Sequence, residues 1–223
     1  MITVHHLDNS RSQRVLWLLE ELGLPYEVIR YQRDPATMFA PKELRAVHPL
    51  GKSPVITDGG KTIAESGAII DYLLETYGQG RLVPPPGTPA KLRFTYWLHY
   101  AEGSAMPLLL LKLVFLRIPK SVPGLIRPIA RLIAKGALSK LIDPQLSRHM
   151  TYWETELTAA PWFAGDDFTA ADIQMSFPVE AAAVRSGQME DKLRLKDYLA
   201  RIHARPAYRR ALETGGPYDY AND

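Results

Sequence analysis

The chain has 223 residues, of which 46% are apolar and 23% are charged, so it can bury a sizeable core. Its 27 lysines and arginines exceed its 24 aspartates and glutamates by three, a bias too small to indicate a nucleic-acid partner. The absence of cysteine excludes disulfides, thiolate metal sites and catalysis by a cysteine of the protein itself.

No targeting or membrane-spanning segment is visible. The N-terminal residues lack the basic stretch and apolar run of a secretory signal. The longest apolar run, residues 108–116, is interrupted by Lys112 and is too short to span a bilayer. The six histidines show no metal-ligand spacing, so we expect no metal site. The sequence therefore predicts a cytoplasmic protein.

The first part of the chain alternates strand-like and helix-like patterns. The predicted elements are a strand at 2–7, a helix at 13–22, a strand at 26–30, a short helix at 42–47, a hairpin with strands at 55–57 and 62–64, and a helix at 66–77. The short connections predict a right-handed parallel βαβ unit at the start. The order βαβαββα predicts a thioredoxin-like α/β domain, which we assign to residues 1–81.

A proline-rich stretch at residues 82–89 follows, and its stiffness indicates a linker between domains. Residues 90–223 show helical periodicity and predict an all-α second domain. The predicted helices cover 91–116, kinked or broken at Pro107, about 128–157, divided at Gly136 or Pro144, and then 193–204 and 206–214. A further helix follows Thr169, because Thr169 and Asp172 have capping-box spacing.

Four segments together resemble cytosolic-type glutathione S-transferases, in particular a bacterial and fungal branch that uses serine at the first turn. They are LDNSRSQRV at 7–15, PLGKSPV at 49–55, AESG at 64–67 and FAGDDFTAAD at 163–172. The resemblance covers nearly the whole chain. It implies an enzyme that transfers glutathione thiolate to electrophilic carbon, with peroxide as an alternative acceptor. It also implies glutathione as co-substrate without a further cofactor, a role in detoxification, and a homodimer.

Ser10 is the expected catalytic residue, because a hydroxyl at the N-terminal end of a helix can favour the thiolate form of glutathione by donating to its sulfur. Ser10 is not itself the nucleophile in this role. Ser12 and Asn9 remain alternatives for the contact to sulfur. Ser12 is also the predicted N-cap of the helix, and Arg14 is expected to form a salt bridge within the first domain.

The resemblance assigns further glutathione contacts to Ser12, Lys52, Val55, Glu65 and Ser66. Pro54 resembles the family's cis-proline, which leaves the backbone of Val55 open to pair with the cysteinyl amide of glutathione. Lys52 would pair with the glycine carboxylate. Glu65 would bind the ammonium group, and Ser66 with the following helix amides would bind the γ-glutamyl carboxylate.

The resemblance places the electrophile pocket on the first long helix of the second domain. Tyr100 and Met106 are the candidates, and Trp97 and Leu109 share this helix. An alternative function is a glutathione-binding interaction protein without significant catalysis.

One long segment contains no acidic residue. Residues 103–142 carry seven lysines and arginines among many leucines, isoleucines and valines. The pattern permits an amphipathic surface on anionic membranes, but a solvated helical face has the same pattern. The sequence favours the solvated face, so we expect no membrane association.

Overall fold

The computed structural model describes residues 1–35 and 37–221. The N-terminal elements are β1 (Ile2–Leu7), α1 (Ser12–Leu22), β2 (Tyr26–Tyr31), α2 (Lys42–Val47), β3 (Val55–Asp58), β4 (Lys61–Ala64) and α3 (Ser66–Tyr77). The helical part contains α4 (Pro89–Tyr100), α5 (Met106–Ser121), α6 (Arg127–Ala137), α7 (Asp143–Ala159), α8 (Ala170–Ser186), α9 (Leu193–His203) and α10 (Pro206–Gly215). No helix in these ranges combines the length and apolarity needed to cross a membrane.

The four strands form one mixed sheet in the order β2-β1-β3-β4. β1 and β2 are parallel, with Val4 opposite Val28, and β1 and β3 are antiparallel, with Val4 opposite Ile56. The β3–β4 hairpin turns at Gly59 and Gly60, whose positive φ angles glycine adopts without steric cost. The predicted βαβ unit, hairpin and thioredoxin-like order are thus confirmed.

Helix α1 is enclosed on several sides, because it packs on β1, α3, α8 and α10. Trp17 of α1 is fully buried, and its ring meets the edge of Tyr208 in α10 at 5.0 Å between centroids. Helix α1 ends at Leu22, and Gly23 adopts the left-handed conformation of a C-cap, as glycine at this position predicts. The helix that follows the first strand therefore joins the sheet to the helical part.

Two π-helical segments interrupt the long helices. Residues 101–105 form one between α4 and α5, and residues 138–142 form the other between α6 and α7. Pro107 and Pro144 lie in the first turns after these segments. Gly136 stays inside α6. Pro89 opens α4, which is capped by Thr88.

The predicted capping box is present at the start of α8. The Thr169 hydroxyl accepts from the N–H of Ala171 at 3.3 Å, and the Asp172 carboxylate accepts from the N–H of Thr169 at 2.9 Å. The other oxygen of Asp172 accepts from the N–H of Phe163 at 2.9 Å. Burial raises the pKa of Asp172 to about 6. This one carboxylate therefore fixes both the helix start and the preceding loop.

Replacing Asp172 by alanine should lower the free energy of unfolding by about 2 kcal/mol, because a lost cap and unpaired buried N–H groups each cost about 1 kcal/mol or more. Denaturant titration at neutral pH measures this loss. The exposed neighbour Asp167 provides the matched control, and Asp167→Ala should change the stability little. Equal losses in both variants would contradict a special role for the capping box.

Candidate active site

The turn after β1 presents three polar residues in succession. Asn9 has a positive φ of 51°, Ser10 follows it, and α1 begins at Ser12. The hydroxyls of Ser10 and Ser12 share a hydrogen bond of 2.7 Å, and the Ser12 N–H donates to the Ser10 hydroxyl at 3.2 Å. The Ser10 hydroxyl is therefore held at the N-terminal end of α1, where the helix dipole favours negative charge.

A chain of hydrogen bonds extends from Ser10 into the sheet. The Ser12 hydroxyl bonds Nδ1 of His6 at 2.9 Å. Burial lowers the pKa of His6 to about 4, so this imidazole is neutral at pH 7. On the other side, the Ser10 hydroxyl approaches that of Ser53 at 3.5 Å, and Ser53 donates to the carbonyl of His5 at 3.0 Å. Neutral groups thus position Ser10 without adding a charge.

The prediction of Ser12 as the N-cap is wrong, because it is the first residue of α1 and the N-cap is Arg11. The side chain of Ser12 is fully buried, while 5% of Ser10 remains exposed, which favours Ser10 over Ser12 for a contact to glutathione. The buried hydroxyl of Ser12 positions the hydroxyl of Ser10 through their shared hydrogen bond.

The third candidate of the turn, Asn9, is occupied elsewhere. Its side-chain amide donates to the Asp219 carboxylate at 2.9 Å, and its side-chain oxygen accepts from the Asp219 N–H at 2.8 Å. Among the three alternatives, the geometry favours Ser10 for the contact to sulfur.

The expected role of Val55 is also contradicted. Val55 is fully buried in β3, with His5 of β1 opposite it on one side and Ala64 of β4 on the other. Its backbone therefore faces occupied strands. The Ser53–Pro54 peptide bond is cis. In the described part of the chain, no backbone hydrogen bond engages the amide or carbonyl of Ser53. The open backbone is that of Ser53, two residues earlier than predicted.

Most of the remaining predicted contacts line one cleft. Lys52 and Pro54 form one wall, and Glu65 and Ser66 at the start of α3 form the other. The cleft is also lined by Arg11, His48, Leu50, Ser53 and Ala64. Glu65 is exposed and has a φ of 72°, rare for a residue with a side chain, which turns the chain sharply into α3. Ser10 lies behind Ser53 rather than in the cleft wall.

Arg14 connects this cleft to the helical part. Its buried guanidinium donates to the Ser66 hydroxyl at 3.0 Å, to the Gln174 carbonyl at 2.7 Å, and to Glu102. The Gln174 carbonyl is available because Pro178, four residues later in α8, has no N–H to donate. The sequence predicts a salt bridge within the first domain, which is wrong because Glu102 lies in the first π-helical segment.

Glu102 pairs with two arginines, Arg11 and Arg14. Burial alone would raise the pKa of Glu102, but the two guanidinium charges and their hydrogen bonds outweigh it and hold the pKa below its ordinary value of 4.5. Glu102 is therefore ionised at neutral pH, and it compensates the charge of Arg14.

The two candidates for the electrophile pocket lie in different surroundings. The Tyr100 hydroxyl bonds His149 and accepts from Nε1 of Trp153 at 3.0 Å, both in α7. Its polar atom thus points between α4 and α7. Met106 is half-buried and lies about one turn after Glu102. The contacts of Tyr100 therefore occupy its hydroxyl within the helical part, while Met106 follows the segment that holds Glu102.

Four functional residues escape the sequence analysis: His6, Ser53, Glu102 and Asp219. Three of them have partners far along the chain, and Asp219 is 210 residues from Asn9. His6 bonds Ser12, six residues away, across the strand-to-helix turn, a pairing that no sequence motif marks. The sequence held one signal for the contact of Arg14. Pro178 lies inside a predicted helix and has no N–H, so the carbonyl of Gln174, four residues earlier, needs another donor.

Comparisons with known proteins show similarity to one family. The family model described as the N-terminal domain of glutathione S-transferase matches residues 1–75. "Glutathione S-transferase 3" of Schizosaccharomyces pombe is 36% identical over 96% of this chain and 87% of its own. "Glutathione S-transferase 1" of Saccharomyces cerevisiae is 32% identical over 93% and 92%. A crystal structure of a glutathione S-transferase from Actinobacillus pleuropneumoniae has a TM-score of 0.80 at 34% identity, covering 100% and 97%.

Replacing Glu102 by glutamine should destabilise the protein by about 2 kcal/mol, because Arg14 loses its counter-charge; the loss for a fully buried pair is about 3–5 kcal/mol. Since the folded pKa of Glu102 is depressed, the stability it contributes is complete above pH 4.5 and is lost as the pH falls through the folded pKa.

The measurement is denaturant unfolding of both proteins over a range of pH, with the exposed Glu190→Gln as control. The difference between wild type and Glu102→Gln should shrink below pH 4.5. A difference that stays constant with pH would mean that Glu102 acts by packing and not by charge.

Proposed function

The chain belongs to the glutathione S-transferase family and is a glutathione transferase, and we propose that the hydroxyl of Ser10 stabilises the thiolate of the bound glutathione. The observation that carries this assignment is the fixed position of that hydroxyl at the N-terminal end of α1, held by Ser12. The Ser12 hydroxyl bonds both His6 and Ser10, and the Ser10 hydroxyl would turn its proton from Ser12 or Ser53 toward sulfur when glutathione arrives.

The free energy of thiolate stabilisation follows from the shift in the pKa of the thiol. A thiol pKa lowered by two units corresponds to about 2.7 kcal/mol of preferential binding of the ionised form. A charge-assisted hydrogen bond from Ser10 and the partial positive charge at the start of α1 are together of this order. The thiolate then forms a carbon–sulfur bond with the electrophile, and the displaced group leaves with the bonding electrons. Peroxide oxygen is the alternative acceptor.

The rest of glutathione fits the walls of the cleft. The unpaired backbone of Ser53 is suited to the cysteinyl amide, in the manner of an added strand. Ser66 and the first amides of α3 are suited to the γ-glutamyl carboxylate, and the exposed Glu65 to its ammonium group. Lys52 is suited to the glycine carboxylate at the opposite end. Arg14 holds Ser66 in place from behind.

We further propose that two copies of the chain form a cytoplasmic homodimer and that each has two domains joined near residues 82–89. Leu92 and Tyr96, one turn apart on α4, are exposed apolar residues that suit such a contact. Met106, beside Glu102, is the candidate to line the electrophile pocket.

Replacing Ser10 by alanine should leave glutathione binding nearly intact and remove the thiolate near neutral pH. Ultraviolet difference absorbance of bound glutathione, titrated with pH, reports the thiolate directly. Well below both thiol pKa values, kcat/KM should fall roughly a hundredfold for a shift of two units.

The exposed serine Ser139, far along the chain in the second π-helical segment, gives the matched control Ser139→Ala. Its titration should equal that of the wild type. The same thiolate signal in Ser10→Ala would exclude Ser10 as the donor, and binding of glutathione only as the thiol in the wild type would favour the non-catalytic alternative.

Replacing Lys52 by glutamine should raise the KM for glutathione about five-fold and leave kcat nearly unchanged, because an exposed charge pair contributes about 1 kcal/mol to binding in both ground and transition states. Steady-state kinetics with a fixed electrophile measure both constants. Lys42→Gln, an exposed lysine of α2, is the control. A glutathione analogue amidated at its glycine end should bind both proteins equally; discrimination by the variant would argue against this pairing.

A further inference from the structure

Helix α6 turns its large apolar side chains away from the protein. We define the α6 face as Ile129, Leu132 and Ile133 of the helix together with Leu125 and Ile126, which lie in the short 3₁₀ turn directly before it. Leu125 is 93% exposed, Leu132 is 73% exposed, and the two isoleucines of the helix, Ile129 and Ile133, are 62% and 63% exposed. A helix of a globular protein ordinarily buries its apolar stripe. The α6 face is an exception of five neighbouring residues.

The inner side of the same helix is lined by small residues. Ala130, Ala134 and Ala137 follow each other at helical spacing and are buried or half-buried, while α6 packs mainly against α5. The alanines of α6 therefore pack against the rest of the protein, and its leucine and isoleucines are exposed to solvent. A contiguous exposed apolar face of this kind marks a surface that something else covers.

The charge around this face is uniformly positive. Residues 103–142 contain seven lysines and arginines and no acid, whereas the rest of the chain has 20 bases and 24 acids. Arg127, Arg131 and Lys135 follow each other along α6 with a spacing of four, which places them on one side of the helix beside the apolar residues. Lys112 alone of the seven is buried, and it pairs with Asp143.

We propose that the α6 face binds the surface of an anionic membrane. An apolar stripe flanked by bases matches the boundary of a bilayer, where acyl chains lie below anionic headgroups. A helix of this length cannot span the bilayer, so it would lie in the plane of the interface. A second copy fits less well, because a two-fold contact would bring the same acid-free segment against itself.

The sequence alone favours a solvated face here, and the structure changes that conclusion. An alternation of apolar and basic residues does not tell which side of a helix meets the core. Because the alanines of α6 pack against the protein, the large apolar residues of the α6 face are left exposed to water. A purely solvated helical face would carry polar residues at these positions. This inference stands apart from the glutathione chemistry, since none of its residues lies in the cleft.

The test is flotation of the full chain with vesicles at physiological salt. Vesicles of phosphatidylcholine with 30% phosphatidylglycerol should bind the wild type, and pure phosphatidylcholine should bind it at least tenfold less. The double variant Leu132→Ser/Ile133→Ser should lose at least tenfold in partition to anionic vesicles. Arg131→Gln/Lys135→Gln should lose about five-fold for each base removed.

The matched control is Leu193→Ser, a leucine on α9 that is 68% exposed and belongs to no such face. It should float like the wild type. Transferase activity and circular dichroism of all variants should be unchanged, which separates this test from failure of the proposed catalysis.

Three outcomes would overturn the proposal. The wild type could fail to bind anionic vesicles, or the double variant could bind as well as the wild type. Alternatively, light scattering could show that Leu132→Ser/Ile133→Ser converts a dimer to a monomer, which would make the α6 face an interface between two copies.

Discussion

The ion pair between Arg14 and Glu102 holds the cleft to the helical part of the molecule. A guanidinium taken out of water needs compensation of its charge and of its hydrogen-bonding groups, or the fold loses several kcal/mol. Here the charge is compensated by Glu102, while the Gln174 carbonyl and the Ser66 hydroxyl accept further hydrogen bonds. The partners come from a π-helical segment, α8 and α3. One side chain thus orients the start of α3, where the γ-glutamyl end of glutathione is proposed to bind.

The serine turn follows a different principle, because its network is neutral. His6 is buried, and burial outweighs the nearby charge of Asp8 and keeps the imidazole unprotonated at pH 7. A protonated His6 near Ser10 would stabilise a bound thiolate further. Without ligand, however, its buried charge would carry a desolvation cost. A relay of hydroxyls avoids this cost. The proposed preference for thiolate then depends on the position of one hydroxyl and on the dipole of α1, both of which exist before glutathione binds.

Local signals in the sequence predicted much of the fold. The glycines of the β3–β4 turn, the Gly23 cap and the capping box of Asp172 act within a few residues, so their consequences can be predicted from the sequence itself. The error at Val55 has another origin. A strand after a proline can lie at an edge or between two neighbours, and only the sheet order β2-β1-β3-β4 decides this.

Contacts between residues that are far apart in the sequence limited how much of the site could be predicted. Glu102 is 88 residues from Arg14, and Asp219 is 210 residues from Asn9, and no local pattern indicates such partners. Ser12 shows the opposite case, since a shift of one residue in the helix start changes it from a cap into a buried support for Ser10. The direction of the α6 face likewise depends on packing against α5.

These long-range contacts make the cleft a property of the whole chain. Residues 1–81 alone would leave Arg14 without Glu102 and Asn9 without Asp219. Glutathione bound as proposed in the folded cleft would therefore stabilise the helical part as well. Helix α5 begins directly after the segment of Glu102 and leads to α6, so the same hairpin links the cleft to the proposed lipid contact. Apolar electrophiles partition into bilayers, and a transferase seated there through α6 meets them at higher concentration than in bulk water.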